Sequence, residues 1–247
     1  MTTPNATHRR GEGFLYLSIM ICFCVLYAPQ PMLTELADRF MVSKPQAGLP
    51  VFVTLIPLAI AQLSYGIFLK QLSALTILKW ALPALALAMA WSGFVQTYEG
   101  MLTLRFVQGA LLPAIMTATM AYLTSGREGA ELSRAMAWYI SATIFGGMAG
   151  RVISGQLASM ISWEWVALIW AGLLLMVTLM PWRRAIPKPL NLVKLDAQLI
   201  RQAVISRGNA LIYVSVLYMF WVFAGYLNYL PFRINELDAS SSTGLIG

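Results

Sequence analysis

The hydrophobic positions of this chain fall into seven long runs that are separated by short polar segments. Each run holds 18 or more largely apolar residues, which is the length that an α-helix needs to cross the hydrocarbon core of a bilayer. We therefore predict an all-α polytopic membrane protein. The predicted spans are residues 14–36, 48–69, 77–97, 102–123, 135–158, 163–181 and 209–230.

The composition supports this class and argues against a soluble domain. The 247 residues are 59% hydrophobic and only 11% charged, and the mean hydropathy is +0.69. Soluble domains carry about 25% charged residues. The net charge of +7 is compatible with nucleic-acid binding, so the position of the charges decides between a nucleic-acid-binding protein and a membrane protein.

The basic residues concentrate in alternate loops, as the positive-inside rule describes. With the N-terminus in the cytoplasm, twelve Lys and Arg residues lie in inner segments, and only Arg39, Lys44 and Arg233 lie in outer ones. This asymmetry predicts a cytoplasmic N-terminus in a bacterial inner membrane, and a seventh helix that ends outside. The predicted partners are thus the lipid bilayer and a small-molecule solute, with no nucleic acid.

The runs divide the chain into four predicted segments. Residues 1–13 form a polar cytoplasmic tail, and residues 14–181 form a six-helix transmembrane bundle. Residues 182–208 form a basic cytoplasmic linker whose apolar positions have helical spacing, which fits an amphipathic helix on the inner leaflet. Residues 209–247 hold the seventh helix, an outer loop and the start of an eighth helix.

The fifth span carries small residues at every fourth position, which places them along one ridge of a helix. Glycine is unfavourable in soluble helices, but in a bilayer small residues let two helix backbones approach closely. Gly109 in the fourth span is predicted to clear space in the same way. The predicted packing residues are Ala142, Gly146, Gly150, Ser154, Gly155 and Gly109.

Two arginines, Arg105 and Arg151, lie inside predicted spans. An arginine near the centre of a membrane helix costs about 2.5–3.5 kcal/mol on insertion scales, and such residues mark function by default. None of the ten acidic residues lies well inside a predicted span, which favours an anionic or polar solute as the partner. Pairing of each guanidinium with backbone carbonyls is the structural alternative.

Further polar residues extend the predicted substrate pathway. Pro29 and Pro31 interrupt the first span, and the carbonyls that they free must face protein or water. A polar wall of the pathway and a simple proline kink both explain this segment. Gln62, in the second span, is explained either as part of the pathway or as a hydrogen-bonding contact between helices. The predicted pathway residues are Arg105, Arg151, Gln108, Gln30, Tyr27 and Gln62.

The sequence does not favour an enzyme, a cofactor or a metal site. The single histidine, His8, lies in the tail, and Val152 replaces the glycine that a membrane serine protease motif would need before Ser154. Cys22 and Cys24 lie two residues apart in one helix, where they serve as small apolar residues.

Three motifs resemble the major facilitator superfamily: LYAPQPML (26–33), LRFVQGALLPA (104–114) and YISATIFGGMAGRVISG (139–155). Within this superfamily, the motifs most resemble those of inner-membrane transporters of the arabinose-efflux-permease type. The resemblance implies two six-helix halves around a midplane site that is exposed alternately to the two sides. It also implies that Arg105 and Arg151 face the central cavity. The loop between the second and third spans departs from the family pattern, since Gly66 is present but Lys70 and Ser73 stand at motif positions.

The leading hypothesis is a secondary transporter of a small organic solute, acting as a proton-coupled exporter, of which this chain is the N-terminal portion. Glu35 and Asp38 are the candidate carboxylates for a coupling proton. Uptake of an organic anion or sugar is a second transport hypothesis. A remnant or sensor without transport activity is the hypothesis from another class.

Overall fold

A computed structural model of the chain describes residues 12–68, 72–182 and 207–237. Within those ranges the backbone is helical apart from short turns and caps, which confirms the all-α prediction. Most of the predicted tail, Lys70, the predicted amphipathic helix of the linker and residues 238–247 lie outside the described residues.

Every predicted span corresponds to a helix, and the first span is divided into two. The helices, numbered in chain order, are α1 (Gly13–Tyr27), α2 (Leu33–Phe40), α3 (Lys44–Phe68), α4 (Ala74–Ser92), α5 (Tyr98–Thr124), α6 (Gly129–Ala158), α7 (Trp163–Trp182) and α8 (Arg207–Leu237), with a 3-10 turn at Gln30–Met32 between α1 and α2.

Five segments of the described chain are long and apolar enough to cross a membrane: Gly13–Phe40, Lys44–Gln62, Ala74–Ser92, Tyr98–Thr124 and Asn209–Ile234. Trp163–Leu179 is a shorter apolar helix. The long helix α6 is outside this group because its glycines, serines and Arg151 lower its mean hydropathy. The count of seven spans therefore stays a prediction.

Helix ends differ from the predicted span ends at two places. The predicted third span reaches residue 97, but α4 ends at Ser92 and is followed by a turn at Gly93. The predicted seventh span stops at 230, whereas α8 continues through Leu237. Pro231 lies inside this helix and does not end it.

Helices α1 to α7 form a bundle with four closely packed helix pairs, which are α3 with α5, α1 with α6, α4 with α7, and α4 with α5. Helix α8 contacts the bundle near its C-terminal end, at α2 and at the Gln30–Met32 turn. Its N-terminal half leaves large apolar side chains such as Leu211 and Tyr218 exposed, which suits a surface that faces lipid.

The predicted packing residues lie at three different contacts. A Cβ atom on Gly146 would lie 2.3 Å from the Met20 carbonyl oxygen, and one on Gly150 would lie 2.4 Å from Cys24 Cα. Both neighbours are backbone atoms of α1, so α1 and α6 can pack at this distance only with glycine. A Cβ atom on Gly109 would lie 2.2 Å from the Thr54 carbonyl oxygen of α3.

The remaining members of the ridge have other surroundings. Ser154 is fully buried and accepts a hydrogen bond from Trp170 Nε1 of α7 at 2.9 Å. Gly155 is buried beside it, and Ala142 is half-buried against the core.

Candidate functional site

The guanidinium of Arg105 is enclosed by protein acceptors in the interior of the bundle. The side chain is 1% exposed. Nη2 donates to the Leu26 carbonyl at 3.0 Å, and Nη1 donates to Gln108 Oε1 at 2.7 Å. Longer contacts of 3.5 Å join Nη1 to the Val25 carbonyl and Nε to the Pro50 carbonyl. Arg105 therefore ties α5 to the end of α1 and the beginning of α3.

The proline that breaks the first span explains why α1 needs this arginine. The backbone nitrogen of Pro29 carries no hydrogen, so it cannot donate to the Val25 carbonyl four residues earlier. Free carbonyls inside a membrane protein require another donor. Arg105 brings up to five N–H donors and a positive charge to the C-terminal end of α1, where the helix dipole favours a cation.

Gln108 completes this buried polar cluster on the side of α4. Its amide nitrogen donates to the Ala88 carbonyl at 3.1 Å and to Ser92 Oγ at 2.8 Å, while its oxygen accepts from Arg105. Arg105 and Gln108 thus have the carbonyl-paired geometry that the sequence offers as the structural alternative. Their place on a substrate pathway stays a prediction.

Arg151 has a different environment, since it lines an open cavity between α1, α6 and α8. The cavity has a volume of about 210 Å³. The Arg151 side chain is partly exposed. The lining residues are Phe23, Tyr27, Thr143, Ile144, Gly147, Met148, Arg151 and Phe223.

The cavity carries a positive charge that no described residue of its lining neutralises. None of the described lining residues is acidic. Among the ion pairs of the described ranges, none includes Arg151. A cation in a membrane span is expected to face a water-filled cavity or a counter-charge. The arrangement can therefore bind an anionic group from outside the chain.

Helical spacing explains how α6 builds its side of the cavity. Thr143, Gly147 and Arg151 follow each other at intervals of four residues, so they lie along one face of α6. A Cβ atom on Gly147 would lie 3.1 Å from Tyr27 Cδ2, so this glycine provides the surface on which the Tyr27 ring packs.

A second, much smaller cavity adjoins the first and shares Tyr27 and Phe223 with it. Its volume is about 10 Å³, which is close to that of a single water molecule. Gln30 lines it and is 3% exposed. Gln30 Nε2 donates to Asn228 Oδ1 of α8 at 3.3 Å, whereas Gln30 Oε1 lacks a partner among the described residues.

The structure thus brings together three of the six predicted pathway residues, Arg151, Tyr27 and Gln30, at these two cavities. Arg105 and Gln108 lie in the buried cluster, and Gln62 is exposed on α3, outside the lining of either cavity. The cavity residues that sequence reasoning missed include Phe23, Thr143 and Phe223. The interval of four residues before Arg151 is a signal for Thr143, but neither phenylalanine has a comparable signal in an apolar span.

The end of the bundle formed by α2, the start of α3 and the end of α8 is called the α2 end. Here Lys44 Nζ of α3 lies 2.5 Å from Glu236 Oε1 of α8, and Arg233 Nη1 lies 3.2 Å from Glu236 Oε2. Together with the bond between Gln30 and Asn228, this ion pair holds α8 against the bundle at the α2 end.

The carboxylates proposed for proton coupling also lie at the α2 end. Glu35 Oε1 accepts a hydrogen bond from the Trp163 backbone N–H at 3.3 Å. Glu35 and Asp38 line a surface groove between α2 and α7. They are absent from the lining of the Arg151 cavity, so a coupling role for either stays a prediction.

Two bacterial relatives are similar to this chain. The MFS-type transporter YybF of Bacillus subtilis (strain 168) is 31% identical over 185 residues, which are 72% of this chain and 46% of that protein. The inner membrane transport protein YnfM of Escherichia coli (strain K12) is 25% identical over 171 residues, 66% of this chain and 41% of that protein.

Two solved structures share the fold. Both are crystal structures of a bacterial homologue of the human lysosomal transporter Spinster in an inward-facing conformation, at 14% identity. The occupied form gives a TM-score of 0.81 over 100% of this chain and 57% of that chain. The unoccupied form gives 0.73 over 99% and 59%.

The chain spans about half the length of these relatives and solved structures. The sequence profile of the Major Facilitator Superfamily matches residues 15–247. This match confirms the resemblance carried by the motifs in α1, α5 and α6. With its all-helical bundle and transporter relatives, the chain belongs to the major facilitator superfamily of membrane transport proteins.

Proposed function

We propose that the protein is a secondary transporter of a small organic solute, and that the cavity between α1, α6 and α8 is its substrate site. The observation that carries this proposal is Arg151, a cation that lines the cavity with no acidic residue beside it in the lining. Substrate sites of such transporters lie between the two halves of the protein. Here the cavity lies between the six-helix bundle and α8, the first helix after the linker.

The proposed orientation has the N-terminus in the cytoplasm of a bacterial cell. The distribution of basic residues supports it, because twelve lie in inner segments and three in outer ones. In this orientation the α2 end faces outward. The contacts of α8 at that end support an arrangement that is closed outside.

Direction and coupling form the finer part of the proposal. We propose proton-coupled export, with Glu35 or Asp38 as the group that takes up the proton, since both lie at the proposed outer end. Uptake of an organic anion or sugar would use the same cavity in the opposite direction. A membrane protein without transport activity is the remaining alternative from the sequence.

The test is solute flux into vesicles that contain the purified protein, measured with a panel of radiolabelled small solutes with and without a proton gradient. We expect Arg151→Ala to abolish flux of the accepted solute. Arg134→Ala is the matched control, because Arg134 is an exposed arginine of the same helix and is absent from the lining of the cavity.

The panel distinguishes the proposed functions from each other. Flux that depends on an imposed proton gradient supports proton coupling, and the sign of that dependence distinguishes export from uptake. Normal flux in Arg151→Ala would remove the cavity from the pathway. Absence of flux for every solute would favour the protein without transport activity.

A further inference from the structure

The charge and the walls of the cavity indicate which class of solute it can bind. Arg151 is the single charged residue in the lining, and Thr143 and Tyr27 are the neighbouring residues that carry a hydroxyl group. A guanidinium binds a carboxylate through two parallel hydrogen bonds. One arginine balances one negative charge, whereas a dianion would bring a second charge for which the described lining has no partner.

The walls of the cavity favour an aromatic solute over a polar one. Phe23, Tyr27 and Phe223 contribute three rings, and Met148 adds a thioether that makes favourable contacts with ring edges. The Phe23 and Tyr27 ring centroids lie 6.3 Å apart at an interplanar angle of 39°. Aromatic pairs prefer tilted or offset arrangements at such distances, so a third ring can pack in the same way.

A sugar does not match this lining. Each hydroxyl group of a sugar needs a hydrogen-bond partner when it leaves water, and an unsatisfied one costs about 1–3 kcal/mol. The lining provides polar atoms on only three residues, Tyr27, Thr143 and Arg151, while Ile144 and the aromatic rings are apolar. The cavity therefore disfavours the uncharged polyols among the solutes considered from the sequence.

The volume is sufficient for a single-ring solute. A cavity of about 150 Å³ in another protein holds a benzene molecule. The present cavity, at about 210 Å³, has room for one ring and a carboxylate group.

We propose that the cavity binds a monocarboxylate with a single-ring aromatic body, with Arg151 pairing with the carboxylate and Phe23, Tyr27 and Phe223 packing around the ring. This inference rests on the proposed function, because it assigns a substrate class to the same cavity. The binding residues all belong to this chain, so binding can be measured on the purified protein.

The test is equilibrium binding of radiolabelled benzoate to the purified protein in detergent, with benzamide, benzylamine, hexanoate and glucose as competitors. Benzamide has the shape of benzoate without its charge, and benzylamine reverses the charge. We expect benzoate to bind, and benzamide to compete at least about tenfold more weakly, which corresponds to about 1.4 kcal/mol. Benzylamine and glucose should not compete.

Two variants separate the carboxylate contact from the ring contacts. Arg151→Gln should remove the preference for benzoate over benzamide, and Phe223→Leu should reduce the preference for benzoate over hexanoate. Arg134→Gln, at an exposed arginine of α6 outside the lining, serves as the control with unchanged affinity. The melting temperature of each variant in the same detergent checks that the fold is retained.

Two results would overturn this inference. One is no benzoate binding up to about 10 mM. The other is equal competition by benzamide and benzoate in the unaltered protein.

If vesicle flux of an uncharged solute is lost in Arg151→Ala, the transport proposal stands and the aromatic-acid inference fails. If benzoate binds through Arg151 but is never carried across the membrane, the transport proposal fails and the binding inference stands.

Discussion

The Nη2 atom of Arg105 on α5 donates a hydrogen bond to the carbonyl oxygen of Leu26 on α1 at 3.0 Å. The same guanidinium lies 3.5 Å from the Val25 carbonyl, which lacks the backbone donor that residue 29 would supply if it were not proline. No such hydrogen bond joins Arg151 on α6 to another described residue, and Arg151 lines a cavity instead. The two intramembrane arginines therefore have different surroundings, and we expect their substitutions to have different effects.

Replacing Arg105 should destabilise the fold before it affects any binding. Arg105→Ala leaves the Leu26 and Val25 carbonyls and Gln108 Oε1 without their donor, and each buried unsatisfied polar group costs about 1–3 kcal/mol. We expect a large loss of folded protein. Arg105→Lys should recover only part of the stability, because an ammonium group cannot reach acceptors on three helices at once. The measurement is the melting temperature of the protein in detergent.

Arg151→Ala is the internal comparison for this prediction. It removes a partly exposed side chain that is in none of the ion pairs of the described residues. Its melting temperature should stay close to that of the unaltered protein. If the two alanine variants melt alike, the assignment of Arg105 to structure and Arg151 to binding is wrong.

The sequence predicts the helical segments well because each depends on a local property, the length of an apolar run. It also predicts the break in the first span, since Pro29 and Pro31 act on the backbone next to them. Arg151 can be identified as a candidate because a charge stands out in an apolar segment.

The partners of these residues are harder to predict because they are distant in the chain. The acceptor of Arg105 is a backbone carbonyl at Leu26, and nothing in that side chain marks it. Phe223 joins the cavity from α8, yet a phenylalanine that faces a cavity and one that faces lipid look the same in an apolar span. The C-terminal end of α8 is also difficult to predict from the sequence, since a proline such as Pro231 usually ends a helix.

Adjacent glycines of α6 should respond differently to alanine. At Gly146 a Cβ atom would lie 2.3 Å from the Met20 carbonyl oxygen, which is backbone and cannot move without separating α1 from α6. We expect Gly146→Ala to lower the melting temperature strongly. At Gly147 the neighbour is the Tyr27 ring, 3.1 Å away, and a side chain can shift. We expect Gly147→Ala to fold and to weaken benzoate binding several-fold as Tyr27 moves.

Gly172→Ala on α7 is the control for helix propensity, because nothing lies within 4 Å of a Cβ atom at that position. Alanine is the better helix former by about 1 kcal/mol, so this variant should match or exceed the unaltered protein in stability. A loss at Gly172 equal to that at Gly146 would mean that close approach of α1 and α6 is not the cause.

Reversing the charge of Lys44 should favour separation of α8 from the bundle at the α2 end. Lys44 Nζ and Glu236 Oε1 lie 2.5 Å apart, but both side chains are largely exposed, and exposed pairs contribute little. We expect Lys44→Glu to change the ratio of closed to open forms about fivefold at most. Combining Lys44→Glu with Glu236→Lys should restore much of the closed form.

The measurement is the distance between spin labels at Met41→Cys and Leu237→Cys, two exposed positions at the α2 end. The native Cys22 and Cys24 are buried and need no replacement. Salt should reduce the effect, because it screens exposed charges. An unchanged distance distribution in both single and double variants would show that the ion pair does not bias this contact.

Acid should release the same contact over a defined pH range. The hydrogen bond from Lys44, followed by that from Arg233, lowers the pKa of Glu236 below its ordinary value of 4.5. Arg233 lies on α8 itself and stays beside Glu236 when the contact opens, so only the part of the pKa shift that Lys44 causes favours closure. That contribution is present above pH 4.5 and is lost as the pH falls through the lowered pKa. We expect the spin-label distance to be constant from neutral pH down to the ordinary glutamate pKa and to lengthen below it. Glu236→Gln should show the longer distances at every pH, and a transition near neutral pH in the unaltered protein would contradict this assignment.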